Sequence, residues 1–311
     1  MTFSNPISNF DVVVIGGGAA GISSALWCGE LGLKTLLLEA NDELGGQLLR
    51  TFNPIDNYLG AQAKNGSELR DIFVRQIENR SFTIKLSSAI AEIDLRNKTI
   101  LFKDGERVSS KALIIATGVR RRSLDVEGEK GFQKKGIIES GKRDQNLVKD
   151  KNAAVIGGGD AAFENALILA EAASRVTLVH RNEDFRSRSE FVERVQSSPK
   201  IKILTNSVVE KFIGNEQVEA IEIRNLQTKE AHILSVEAVL IRIGVEPNTE
   251  IFRGQIELDK SRYFKINQNC ETNLQNIFAV GDVANPLSPT ISSAVGMGAT
   301  AAKVIAALLH S

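Results

Sequence analysis

Cysteine is scarce in this 311-residue chain. There are two, Cys28 and Cys270, far apart in sequence. That excludes a disulfide framework and any metal-type cysteine spacing, and it fits a reducing, cytoplasmic setting. Histidine is scarcer still relative to the work it would have to do: three scattered residues exclude a histidine-built metal site or a Ser-His-Asp arrangement. Charge of one sign is also lacking. Thirty-eight basic and 38 acidic residues cancel, which removes bulk attraction to nucleic acid or to an anionic membrane. Met1 to Asp11 hold neither the basic cluster nor the apolar core of a signal peptide. The longest apolar stretch, Thr290 to Leu309, is interrupted by Gly296, Gly298 and Lys303, so it reads as a packed helix rather than a membrane span. Cys28, among apolar neighbours, reads as a core thiol, and nothing near Cys270 would depress its pKa. Trp27, Tyr58 and Tyr263 read as core or rim.

What the chain does have is an internal repeat. Residues 11–39 run DVVVIGGGAAGISSALWCGELGLKTLLLE, and residues 153–181 run AAVIGGGDAAFENALILAEAASRVTLVHR. Each reads as a buried strand, a glycine turn, a helix and a second buried strand, which is a βαβ unit. Two such units predict two nucleotide-binding halves. A β-rich stretch follows each: residues 82–117, from FTIKL to ALIIAT, and residues 201–243, from IKILTN to AVLIRI. Both are expected to be meanders inserted in their half. Arg120–Leu124 and Val245–Thr249 are the expected crossings, and the last strand, Ile277–Val280, and final helix rejoin the first half. The fold class is therefore α/β, with two Rossmann-like three-layer (β/β/α) domains, the second inserted into the first. Residues 1–119 and 248–311 form one domain and residues 120–247 the other.

The first turn contains Gly16, Gly18 and Gly21 in GxGxxG spacing. The first glycine permits a sharp turn, the second a close approach of backbone to pyrophosphate, and the third tight helix–strand packing. The helix N-terminus offers free N–H groups to the phosphates. Glu39 ends the second strand, where a carboxylate accepts hydrogen bonds from a ribose diol. The second turn has Gly157, Gly159 and Ala162, and its second strand ends in His180-Arg181 instead of a carboxylate. Arg181, Arg186 and Arg188 there favour a 2′-phosphate, hence NADP over NAD; a solvated basic loop is the alternative. Asp282 follows a buried strand and is placed to accept a cofactor hydroxyl. The last helix, starting near Thr290–Ser293, either aims its dipole at a cofactor or simply packs. Arg120-Arg121-Arg122 is either a docking site for an acidic protein or a solvated connector.

These residues together resemble the low-molecular-weight thioredoxin reductases of the pyridine nucleotide-disulfide oxidoreductase superfamily, and the similar ferredoxin–NADP reductases. The resemblance covers nearly the whole chain: GGGAAG at the first turn, Gly45-Gly46-Gln47, Ile55-Asp56-Asn57, Ala116-Thr117-Gly118, GGGDAA at the second turn, the His180-to-Arg186 stretch and Gly281-Asp282. It implies a homodimeric, FAD-dependent NAD(P)H oxidoreductase, with FAD in the first domain and NADPH, or NADH, in the second. The residues it assigns to FAD are Gly16, Gly18, Ala19, Ala20, Gly21, Glu39, Ala40, Gly45, Gly46, Gln47, Asn57, Ala116, Thr117, Gly118, Gly281, Asp282, Thr290 and Ile291. Tyr58, beside Asn57, is a further candidate for touching the flavin. Those assigned to the nicotinamide nucleotide are Gly157, Gly159, Asp160, Ala161, Ala162, Glu164, His180, Arg181 and Arg186. Glu164 is expected near the nicotinamide.

Three departures bear on function. Ser140 and Arg143 occupy the two cysteine positions of the family's Cys-x-x-Cys, with Asp144 matching the acidic residue after it. A serine and an arginine cannot form a disulfide, so a dithiol relay to thioredoxin is excluded. Pro289-Thr290-Ile291 stands where the family has Arg-Gln-Ala, and Asn182 where a second phosphate-binding arginine often stands. The expectation is that electrons pass from NAD(P)H to flavin and then to an external acceptor: a ferredoxin or flavodoxin, a quinone or another small oxidant. Two alternatives stay open. One is a flavoprotein reduced by a protein partner or a substrate, with a degenerate or differently occupied second site. The other is a non-catalytic flavin-binding sensor or scaffold.

Overall fold

The computed structural model describes residues 8–310; the first seven residues and Ser311 lie outside it. Strand β1 (Ser8–Ile15) has Val12, Val13 and Val14 wholly buried, the continuous apolar signature of a parallel strand covered on both faces. The turn leads into α1 (Ala19–Glu30) and then β2 (Thr35–Leu38). Helix α2 (Gly66–Ile77) starts at Asn65, whose side chain accepts from the Glu68 N–H. Strand β3 (Thr83–Lys85) follows, then β4 (Ile90–Asp94), β5 (Thr99–Phe102) and the long β6 (Arg107–Ile115). Their sheet order is β3-β2-β1-β6-β5-β4.

The chain leaves this unit through β7 (Val119–Arg121). The second unit opens with a two-residue strand, β8 (Ile137–Ile138), then β9 (Asn152–Ile156), α3 (Asp160–Ala170), β10 (Arg175–Val179), α4 (Ser189–Gln196) and β11 (Ile201–Leu204). An antiparallel sheet of β12 (Ser207–Gly214), β13 (Val218–Asn225) and β14 (Ala231–Ser235) precedes β15 (Ala238–Ile241). The parallel sheet runs β11-β10-β9-β15-β8. The chain returns through β16 (Val245–Pro247), which pairs with β7, and finishes with β17 (Ile277–Ala279), added beside β6, and α5 (Ile291–His310). The two compact units divide at Arg120/Arg121 and Val245/Glu246.

The meander expectation needs one correction in each half. Thr83–Lys85 and Ile201–Leu204 are not meander strands: each lies parallel to the strand before it, as the outer strand of a Rossmann sheet. The intervening helices, α2 and α4, provide the crossover that a parallel neighbour requires.

Helix α5 is long and apolar enough to span a membrane by length and composition. In this fold it packs along α1. The Ser23 hydroxyl donates to the Val295 carbonyl at 2.7 Å, and Gly298 lies so close to Ala20 and Ser24 that a side chain would not fit. That close approach is why the stretch carries small residues among its apolar ones.

Candidate functional site: two glycine-turn crevices

In the first unit, Gly16 has φ +110°, and a Cβ there would collide with the carbonyl of Ala116. Gly21 lies against the Gly16 carbonyl, with no room for a methyl group. Gly18 caps α1 without any side-chain partner, and its nearest neighbour across open space is the Cα of Gly46. The unsatisfied helix N-terminus therefore opens into a cavity of about 580 Å³. Sixteen of the eighteen residues predicted to hold FAD line it; Gly21 lies beneath the turn, and Asn57 is exposed and away from the lining. Ile55 pairs with Ala63 and is buried, whereas Asn57 is exposed. Tyr58 packs on Phe73 at 5.7 Å and does not reach the cavity.

Glu39 is buried, and its carboxylate is already held in place. One oxygen accepts from Gly17 N–H at 2.8 Å, and the other from the backbone and side-chain nitrogens of Asn41 at 2.9 and 2.7 Å. Across the turn, Gln47 donates to the Val119 carbonyl at 2.7 Å, and Thr117 and Asn248 exchange hydrogen bonds at 2.8 and 2.7 Å. Burial pushes the Asp282 carboxyl above its ordinary value. The Thr290 hydroxyl accepts from Ser293 N–H at 3.2 Å and so caps α5, whose first residues line the cavity. The N-terminus of α5 faces the cavity, and its body packs on α1. Sequence reading missed Asn41, Arg50, Thr51, Ser88, Ala89, Ile90, Arg120, Asn248 and Ile251 on the lining. The residues after β3 carried one usable signal, because a parallel strand ends beside the crevice by topology.

In the second unit, Gly157 (φ +149°) meets the carbonyl of Arg242 in the same way, and Ala162 is fully buried under the turn. Gly159 caps α3 with nothing within 4 Å of where a Cβ would stand, so this helix N-terminus is open too. The His180 ring fills the space beside Gly158, with Nε2 3.1 Å from the Asp184 carbonyl. Burial, with Arg181 and Arg186 nearby, lowers its pKa, so the imidazole is neutral at pH 7. Arg181 and Arg186 are exposed and make no ion pair among the described residues. Arg188 is committed elsewhere: it binds Asp160 through its backbone N–H at 2.7 Å and its Nε at 2.9 Å.

Ser140, Arg143 and Asp144 form a closed turn. Burial opposes ionisation of Asp144. The Arg143 guanidinium (2.6 and 2.9 Å) and the N–H groups of Glu139 and Ser140 (2.9 and 3.0 Å) outweigh it and hold the carboxyl below the usual range. Arg143 also pairs with Glu139 at 3.1 Å. The Arg120–Arg122 run is held in place as well. Arg120 pairs with Glu246 and Glu250 at 2.7 and 2.6 Å, Arg121 donates to the Glu139 carbonyl, and Arg122 donates to the Val245 carbonyl at 2.9 Å. Cys28 and Cys270 are both buried, free thiols, pushed by burial up to about 12 and about 11. No group of metal-ligating residues occurs among the described residues.

Two open helix N-termini, each at a glycine turn between parallel strands, one with a large cavity beside it, fit two extended dinucleotides. The fold and sites define a two-nucleotide redox protein. The chain belongs to the pyridine nucleotide-disulphide oxidoreductase family, whose model matches residues 10–298. It is similar to the thioredoxin reductase of Streptomyces coelicolor, with 34% identity over 94% of this chain and 91% of that protein. It is also similar to the 34.2 kDa protein in the rubredoxin operon of Clostridium pasteurianum, with 31% identity over 94% of each. Among solved structures, Lactococcus lactis thioredoxin reductase in its FR conformation matches with a TM-score of 0.85 and 29% identity, covering 97% of this chain and 99% of that one. The protein is an FAD-dependent NAD(P)H oxidoreductase.

Proposed function

We propose that this enzyme takes electrons from NADPH, or NADH, through FAD to an external acceptor, and not through a dithiol to thioredoxin. The observation that supports this is the Ser140–Arg143–Asp144 turn, closed by an Arg143–Asp144 ion pair, at the positions where the resemblance implies two cysteines. The only cysteines, Cys28 and Cys270, are buried, free and raised in pKa, so neither replaces them. Bound FAD supplies a redox ring that accepts hydride and releases electrons. The chain would hold it with the N–H groups at Gly18–Ala20 against the pyrophosphate, Glu39 at the adenosine ribose and Asp282 at the ribityl chain. The N-terminus of α5 would add positive potential at the ring end. In the second crevice, the α3 N-terminus would take the pyrophosphate, and Arg181 and Arg186 a 2′-phosphate.

The acceptor belongs to one of three chemical kinds: a ferredoxin- or flavodoxin-type carrier, a quinone, or another small oxidant. The relative encoded in a rubredoxin operon supports a protein carrier. Two free thiols without a disulfide are consistent with a reducing cytoplasm. A homodimer belongs to the same reading, and light scattering tests it. The deciding experiment is anaerobic titration of the flavin absorbance with NADPH and NADH, followed by an acceptor screen that includes thioredoxin. Bleaching by a nicotinamide nucleotide, reoxidation by a carrier or quinone, and no thioredoxin turnover are expected. No bleaching by either nucleotide, or efficient thioredoxin reduction, would overturn the proposal.

A further inference from the structure

The loop after β10, residues 180–188, is fastened to the second glycine turn and to the start of α3. The Arg186 N–H donates to the Gly158 carbonyl, inside the turn, at 2.8 Å. Phe185 packs edge-on against Phe163 of α3, with ring centroids 4.9 Å apart. A third tie is Asp160, the first residue of α3. One of its carboxylate oxygens accepts from the Ser187 hydroxyl at 3.0 Å and from the Arg188 N–H at 2.7 Å. The other accepts from Arg188 Nε at 2.9 Å. Both charged partners are exposed, and an exposed ion pair adds little to stability. What this tie supplies is placement: it pins the two residues after Arg186 to the helix start.

Placement matters because net charge is missing. Arg181, Arg186 and Arg188 are offset by Glu183, Asp184 and Asp160, so the loop and its anchor sum to zero. A phosphate is then recognised by donors held where it arrives, not by the charge of the loop as a whole. In a βαβ nucleotide unit the adenosine ribose lies at the end of the second strand. Here that strand is β10, and His180 follows it, neutral and with no carboxylate to repel a 2′-phosphate. Arg181 and Arg186 lie exposed on the same loop.

We propose that Asp160 is a positioning residue for 2′-phosphate selection: by anchoring Ser187 and Arg188 it holds Arg186 beside the turn, and so makes the second crevice prefer NADP(H) to NAD(H). This rests on the reading of that crevice as the NAD(P)H site. The sign of the effect separates two roles. As a bare negative charge, Asp160 would repel the more anionic nucleotide and lower the preference. As an anchor it raises the preference.

The test measures dissociation constants of NADP⁺ and NAD⁺ on the oxidised, FAD-loaded enzyme, where no hydride is transferred. Wild type is expected to favour NADP⁺. Asp160→Ala should lower that preference about tenfold. Asp160→Asn removes the charge but retains the oxygen that accepts from Ser187 and the Arg188 N–H, so it should keep the preference. If Asp160→Ala does not fold, Asp160→Ser, whose side chain is one atom too short to make these bonds, carries the same comparison. A parallel weakening of both nucleotides, or an unchanged ratio, overturns the proposal and leaves Asp160 a structural residue. A raised NADP⁺ preference in Asp160→Ala, or an equal loss in Asp160→Asn, also overturns it, because charge and not placement would then decide. Equal binding of the two nucleotides by wild type overturns the proposal while the nucleotide reading stands. Binding of neither by wild type overturns that reading, and this proposal with it.

Discussion

The two glycine turns share a backbone plan and differ in what closes around them. Around the first stand a buried carboxylate, Glu39, and small residues such as Ala116 and Gly118, with a large cavity between. Around the second stand a neutral imidazole, His180, and a guanidinium, Arg242. The first arrangement suits a cofactor that stays: Glu39 fixes the Gly17 N–H before any ligand arrives, which lowers the ordering cost of binding. The second suits a substrate that comes and goes, because its cations at Arg181 and Arg186 lie exposed at the rim. One supersecondary unit thus carries two different surroundings, set by the side chains at the two flanking strand ends.

The strongest way to break this comparison is Gly21→Ala. The equivalent position in the second unit is already Ala162, but at Gly21 the methyl group would strike the Gly16 carbonyl. Overpacking of this kind costs about 3 kcal/mol, and most bound flavin should be lost, read as flavin-to-protein ratio and unfolding midpoint. Next is Asp144→Asn, which strips an ion-paired, hydrogen-bonded carboxylate from the second unit, for about 2 kcal/mol at pH 7. The folded pKa of Asp144 lies below its ordinary 3.8, so its stabilisation is complete above that value and is lost as pH falls through the folded pKa. Urea unfolding should therefore separate wild type from Asp144→Asn at pH 7 and bring them together in strong acid. Arg186→Ala is smaller: NADPH should bind about tenfold more weakly and NADH equally well, which titration calorimetry with both nucleotides checks. Smallest is Gly159→Ala, where nothing lies within 4 Å and the midpoint should move by about 0.5 kcal/mol or less.

Features written locally were legible in the sequence. Both βαβ units, both turns and much of the lining of the large cavity follow from apolar runs punctuated by glycine. Helices α2 and α4 were not placed, and without them Thr83–Lys85 and Ile201–Leu204 read as meander strands; nothing in a short β-rich run states which neighbour it pairs with. Strand β8 is two residues long and has no period to detect. Arg242 and Glu139 stand 103 positions apart, and the parallel register of β15 with β8 brings them together. Asn57 carried a motif but no information on which way its loop turns.

The insertion of one unit within the other also sets an order of synthesis. The second unit, Arg121–Val245, is continuous and is whole as soon as its last strand leaves the ribosome. The first is not: β17, Asp282 and the start of α5 are made after the whole second unit, yet they form one wall of its cavity. The first unit is therefore completed after the second, and β1 and β6 must wait, partly uncovered, for their final partners. A ligand in that cavity can be enclosed only after the second unit has been made.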